Sequence, residues 1–148
     1  MRLVWKLCAC VVREGADGPE LLVFDHPRAG TQIPKGTLEE GESHQVGVLR
    51  ELAEETGVTD VEIVRSVGTW NRQATVGGQQ EKHTWEVFEL RPTAPLEDEW
   101  IHLAEGSEFE KGLALRCHWL TLDLFALEAL HPVFGHVVEM LLETRDRG

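Results

Sequence analysis

The sequence predicts an α/β protein, a mixed β-sheet covered by helices on both sides, formed by a single domain over residues 1–148. Three observations predict it. Alternating apolar runs near the N-terminus and again in the middle of the chain have the two-residue period of strands. A glycine-bounded amphipathic stretch between them has the period of a helix, and two further helical patterns close the chain.

From Leu3 to Arg13, Leu3, Trp5, Leu7, Ala9 and Val11 fall on one face and Val4, Lys6, Cys8, Cys10 and Val12 on the other, which predicts a first strand covered on both sides. Gly15 to Pro19 is a turn, and Glu20 to Asp25 a second strand forming a hairpin with the first. His26-Pro27-Arg28-Ala29-Gly30 breaks it, and Thr31-Gln32-Ile33 is a short extended piece fixed by Pro34. Ser43 to Thr56 is the middle helix, with Ser43 as N-cap and Gly57 closing the C-terminus. Its apolar face is expected from Val46, Leu49 and Ala53, flanked by Leu52, with Glu51, Glu54 and Glu55 gathered on the other side.

Val61 to Ala74 and Gln80 to Leu90 are long extended segments joined by a turn at Val76-Gly77-Gly78-Gln79. Arg91 to Gly112 is charged and poorly periodic, so it is expected as a loop or lid. Ala114 to Leu120 is the last strand. Thr121 to Leu130 is a helix stopped at His131-Pro132, and Val133 to Arg145 is a second, with Val133, Val137, Met140 and Leu141 inward.

The 26 acidic residues against 14 Lys and Arg give a net charge of -12. That balance argues against a nucleic-acid or anionic-membrane binder, which needs a basic surface. No run approaches the roughly 20 apolar residues of a membrane span, and Lys6 interrupts the only stretch that imitates a signal segment. Cys8, Cys10 and Cys117 are odd in number and lack zinc spacing, so they read as reduced thiols of a cytoplasmic protein.

Chemistry concentrates at Gly36-Thr37-Leu38-Glu39-Glu40-Gly41-Glu42 and Arg50-Glu51-Leu52-Ala53-Glu54-Glu55-Thr56-Gly57-Val58. Carboxylates so close repel one another unless a cation sits among them, and hard divalent ions with oxygen ligands, Mg2+ or Mn2+, suit the set. The pattern resembles the signature of the Nudix hydrolase family: Gly, five residues, Glu, seven residues, then Arg-Glu-apolar-any-Glu-Glu-any-Gly-apolar. Gly36, Glu42, Arg50, Glu51, Leu52, Glu54, Glu55, Gly57 and Val58 meet every specified position. At residue frequencies of roughly 5–10% each, seven fixed letters coincide at a given start on the order of once in ten million.

The resemblance implies a Nudix-type α/β/α sandwich and a metal-dependent pyrophosphohydrolase, an enzyme acting on acid anhydrides. It implies Glu54 and Glu55 as metal ligands, Glu51 as ligand or general base, Arg50 as the residue orienting the carboxylates, and the Lys35 backbone carbonyl as a further ligand. Glu42 either organises the loop or joins the metal shell. Many members also use a carboxylate outside the signature, for which Glu105, Glu108 and Glu110 are candidates.

The substrate expected is a small nucleoside diphosphate derivative, a dinucleoside polyphosphate such as a diadenosine polyphosphate or a nucleoside triphosphate, acted on by a monomer or homodimer. Pro34-Lys35-Gly36 is similar to the corresponding segment of dinucleoside polyphosphate and diphosphoinositol polyphosphate hydrolases. Arg28 and Lys35 are candidates for a distal phosphate, with His26, His44 and His83 as alternatives. Trp70 and Trp85 are candidates for stacking on a base, and Trp100 for lining the pocket. The rival expectation is a Nudix-fold module that senses a nucleotide without cleaving it; retention of all the signature glutamates speaks against it.

Overall fold

The computed structural model describes residues 1–106 and 110–147. Its sheet is built from β1 (Arg2–Gly15), β2 (Gly18–His26), β3 (Gly30–Gln32), β4 (Lys35–Thr37), β5 (Val61–Val76), β6 (Gln79–Pro92), β7 (Trp100–Leu103) and β8 (Ala114–Thr121). The strand order is β5-β6-β1-β2-β8-β7, with β3 beside β2 and β4 beside β1. The sheet is mixed: β1 runs parallel to β6 and antiparallel to β2 and β4. The predicted hairpin between the first two strands is present, with Val12 opposite Leu21.

The alternation of β1 supplies two cores. Leu7, Ala9 and Val11 pack on one side with Val48 and Leu52 of α1 (His44–Thr56). Cys8, Cys10 and Val12 pack on the other with Phe134, Val137, Val138 and Leu141. That second layer comprises α2 (Ala126–Ala129), a 3-10 turn (Pro132–Phe134) and α3 (Gly135–Asp146). Helices therefore cover both faces, as the sequence predicts. Among the described residues, no helix is long and apolar enough to cross a membrane.

The helix that carries the carboxylates is closed at both ends by its predicted caps. Ser43 Oγ accepts from the Val46 N–H at 3.1 Å. Gly57 takes a left-handed φ of 76° and donates its N–H to the Ala53 carbonyl, a conformation only glycine adopts without cost.

Of the expected apolar face of this helix, Leu52 is buried but Val46 and Leu49 are not. Val46 and Leu49 are 58% and 37% exposed, whereas Val48 and Leu52 are fully buried and Glu51 and Glu55 nearly so. The stripe that meets the sheet is thus Val48, Glu51, Leu52 and Glu55, spaced i, i+3, i+4 and i+7. Polar residues interrupt it because this face carries both the packing and the acid groups.

Two other expectations fail in detail. Arg91 to Gly112 is not all loop: β6 runs on to Pro92, and Trp100–Leu103 forms the edge strand β7, paired with β8. The helix expected over Thr121 to Leu130 shrinks to Ala126–Ala129. Thr121 remains in the ladder opposite Glu20, and Leu130 is already extended, bridging Thr31. The short strand β4 is also absent from the sequence reading; three residues carry too little pattern to announce a strand.

Candidate active site

β4 and the inward face of α1 bring the charged residues together. The site is a cavity of about 500 Å³ lined by Lys35, Gly36, Arg50, Glu51, Glu54 and Glu55, with Glu105, Gly106 and Glu110 arriving from the segment after β7. Its geometry depends on a missing side chain. A Cβ at position 36 would fall on the Glu51 carboxylate, so β4 leaves room there for the acid group to lie against the strand.

Arg50 is the hub. Its Nε and Nη2 donate to the two oxygens of Glu42 at 2.6 and 2.9 Å. Nη1 donates to Glu51 Oε1 at 2.8 Å and reaches Glu54 at 3.2 Å, and Nη2 also holds the Thr37 carbonyl at 3.1 Å. One planar guanidinium thereby spaces three carboxylates and ties the loop to the helix. The hydrogen bonds from Arg50 bring the Glu42 carboxyl down to about 2. With one oxygen also accepting from the Glu39 N–H, both Glu42 oxygens are engaged in organising the loop.

The two inward carboxylates behave in the opposite sense. Burial raises the pKa of Glu51 despite Arg50. Burial, reinforced by the Glu51 charge, pushes Glu55 well above the usual carboxylate range, although the Lys35 N–H donates to its Oε1 at 2.8 Å. A buried acid pair with hard oxygen donors is chemically fitted to a divalent cation, which would offset the cost of ionising both. Among the described residues, no three His, Cys, Asp or Glu groups already surround a common point, because Arg50 stands between Glu42, Glu51 and Glu54.

The C-terminal end of α1 is fixed from β7. Trp100 Nε1 donates to the Thr56 carbonyl at 2.8 Å, His102 Nε2 lies 3.1 Å from the Glu54 carbonyl, and the Glu105 N–H donates to that same carbonyl at 3.0 Å. Gly106 then passes so close to the Glu54 carboxylate that a Cβ would overlap it. Glu105 and Glu110 therefore reach the cavity, while Glu108 lies outside the described residues.

Several sequence candidates lie elsewhere. Arg28 is exposed in the β2–β3 turn, where its N–H and that of Ala29 donate to His26 Nδ1, so neither Arg28 nor His26 lines the cavity. His44 is engaged by Glu86 and the Trp5 ring. Trp100 packs against the α1 core instead of the carboxylate cavity. Trp85 is a core residue, 1% exposed, with Trp70 and Phe134 against it and the Lys35 ammonium 5.4 Å above its ring. Trp70 is packed on the same core, between Trp85 and His136. Trp85 presents no free face for a base, and Trp70 does not line the carboxylate cavity.

Sequence reasoning missed Lys6 and Gln32, which join Lys35 in lining the cavity. Lys6 had a signal: it is the one charge in an otherwise apolar run of β1. Burial, with Lys35 alongside, lowers its pKa.

The NUDIX domain model matches residues 5–141, nearly the whole chain and all of this site. The chain belongs to the Nudix family. An RNA pyrophosphohydrolase of Caulobacter vibrioides is 48% identical over 44 residues, which is 30% of this chain and only 26% of that relative's length. The Ap4A hydrolase of C. elegans, in a binary complex, superposes with a TM-score of 0.68 at 17% identity, covering 98% of this chain and 99% of its own. The NUDIX domain of Shewanella oneidensis NrtR, complexed with ADP ribose, superposes with a TM-score of 0.66 at 15% identity over 97% and 89% of the two chains. At such identities the structural likeness establishes the Nudix fold, a mixed sheet between helical layers.

Proposed function

We propose that this chain, acting as one Nudix domain over residues 1–148, hydrolyses a diphosphate linkage in a nucleoside diphosphate derivative, with dinucleoside polyphosphates and nucleoside triphosphates the favoured substrates. The observation that carries the reading is the pair Glu51 and Glu54, spaced by Arg50, together with Glu55 held by the Lys35 N–H, all lining one open cavity. Glu51, Glu54 and Glu55, with the Lys35 carbonyl, would hold Mg2+ or Mn2+. A metal so held supplies charge neutralisation for the diphosphate oxygens and a more acidic water.

The protein's own groups do the positioning. Arg50 keeps the carboxylates oriented and Glu42 fixes Arg50, while Gly36 lets Glu51 lie flush with β4. Three buried, unpaired thiols, with Cys117 pushed up to about 12 by burial, fit a reducing compartment and support a cytoplasmic setting.

The test is product analysis with Mg2+ or Mn2+ against nucleoside triphosphates, dinucleoside tetraphosphate, ADP-ribose and nucleotide sugars, with Glu54→Gln in parallel. Turnover of one class is expected, falling at least about a hundredfold in the variant, because metal-supplied charge stabilisation is worth several kcal/mol. Nucleotide binding without turnover of any substrate would replace the enzyme by a sensor, and full activity of Glu54→Gln would overturn the ligand set.

A further inference from the structure

Beside the carboxylate cavity lies a second one of about 260 Å³, and the two share Lys6, Gln32 and Lys35. Its walls are cationic. Lys6 comes from β1, Lys35 from β4 and Arg72 from β5, while His83 of β6 sits directly opposite Arg72 in the ladder and His131 stands just before the 3-10 turn.

Most arginines of the chain are already answered by carboxylates. Arg2, Arg13, Arg50, Arg65, Arg91, Arg116, Arg145 and Arg147 all form ion pairs with carboxylates. Lys6, Lys35 and Arg72 stand outside these pairs, as do Arg28, Lys82 and Lys111 elsewhere on the described surface, and the first three line this one cavity. Lys6 Nζ instead donates to Thr37 Oγ1 at 2.7 Å, and Lys35 lies over Trp85. Glu81, one of the carboxylates that act on Lys6, is already held between His83 at 2.8 Å and Arg2 at 3.5 Å.

The cavity is not shaped for a base. Its two large aromatic side chains, Trp85 and Phe134, are 1% and 0% exposed and form a floor without a free ring face, leaving only the imidazoles of His83 and His131. Unpaired cations in a polar recess favour a compact, multiply charged anion.

We infer that this cavity holds the phosphates beyond the scissile linkage, which makes the substrate a nucleotide with at least three phosphates in series and not a nucleotide sugar. The inference rests on the hydrolase reading for its connection to catalysis, since the shared Lys6, Gln32 and Lys35 form the path from one cavity to the other. A diphosphate ending in a neutral sugar places no charge in the recess and leaves its cations unanswered.

The experiment titrates inorganic tripolyphosphate into metal-free wild-type protein and into Arg72→Gln and Lys6→Gln, with thermal melts to verify folding. In parallel it measures kcat and KM with Mg2+ for a nucleoside triphosphate and for ADP-ribose. Loss of one charge-assisted contact is expected to weaken tripolyphosphate binding about tenfold and to raise KM for the triphosphate in proportion, with kcat nearly unchanged. Equal tripolyphosphate affinity in wild type and both folded variants would overturn the inference and leave the hydrolase reading standing. Weakened binding in the variants, with no substrate turned over by the wild type, would leave the anion site standing and remove the hydrolase reading. A wild type that prefers ADP-ribose to the triphosphate would overturn the assignment of substrate.

Discussion

Replacing Gly36 by alanine tests whether the site depends on space left at β4. Gly36 pairs with Leu7 in the ladder and is not among the glycines with positive φ, so alanine brings no backbone strain. The effect must come from volume. The new methyl group would lie within 3 Å of the Glu51 carboxyl carbon and both its oxygens, a contact side-chain carbons do not make. Glu51 is only 9% exposed and anchored by Arg50, so the carboxylate must turn out of its slot and give up the 2.8 Å hydrogen bond. Overpacking of this kind costs about 1–3 kcal/mol of stability. Displacing a reacting group by about 1 Å costs on the order of a hundredfold in rate. Denaturant unfolding and kcat/KM measure the two effects separately. In the double variant Gly36→Ala with Glu51→Ala the overlap is gone, so the stability loss should fall short of the sum of the single losses by about 1 kcal/mol or more, while activity stays low. A Gly36→Ala protein with native stability and native kcat/KM, or strictly additive losses, would refute the argument.

The phase of α1 gives a second test: Leu52→Ala should cost about 2–5 kcal/mol and Val46→Ala less than about 0.5 kcal/mol, read from denaturant midpoints. Equal costs would restore the outward residues to the core. The carboxylates also set a pH dependence for the metal-free protein. Glu51 and Glu55 have folded pKa values above their unfolded ones, so stability is fully present below about 4.5, the unfolded value, and is lost as pH rises through the folded values. Glu42 works the other way, contributing stability above about 4.5 that is lost as pH falls through about 2. Melts in chelator should therefore give a maximum in mild acid, and added Mg2+ should raise Tm more at pH 7.5 than at pH 5. A metal effect independent of pH would count against Glu51 and Glu55 as its binding groups.

Much of the fold was legible because β1 is unusually explicit. Alternate residues feed two cores, so the same dozen residues predict a strand covered on both faces and hence a layered sheet. The caps of α1 were equally readable, since Ser43 and Gly57 act locally. What failed was decided by distant partners. Thr121 reads as helical but is held in a ladder by Glu20, a hundred residues away. Trp100 reads as a loop aromatic, yet its indole N–H finds the Thr56 carbonyl. Neither partner leaves a trace near these residues in sequence.

The site divides along the same line, and the division has a physical origin. The carboxylates and Arg50 share one helix and its leading loop, so spacing alone brings them together. Hydrophobicity alone does not mark the inward face of that helix, because two of its six buried residues, Glu51 and Glu55, are acids. A buried acid face violates the usual pattern, and such violations gather where a chain sacrifices stability for chemistry. The cationic recess is the complementary case. Lys6, Lys35, Arg72, His83 and His131 come from five separate segments, and only strand order makes them neighbours. An acid site that a helix can write into one stretch of sequence thus sits beside a basic site that only the sheet can assemble, and a phosphate chain with its metal needs both at once.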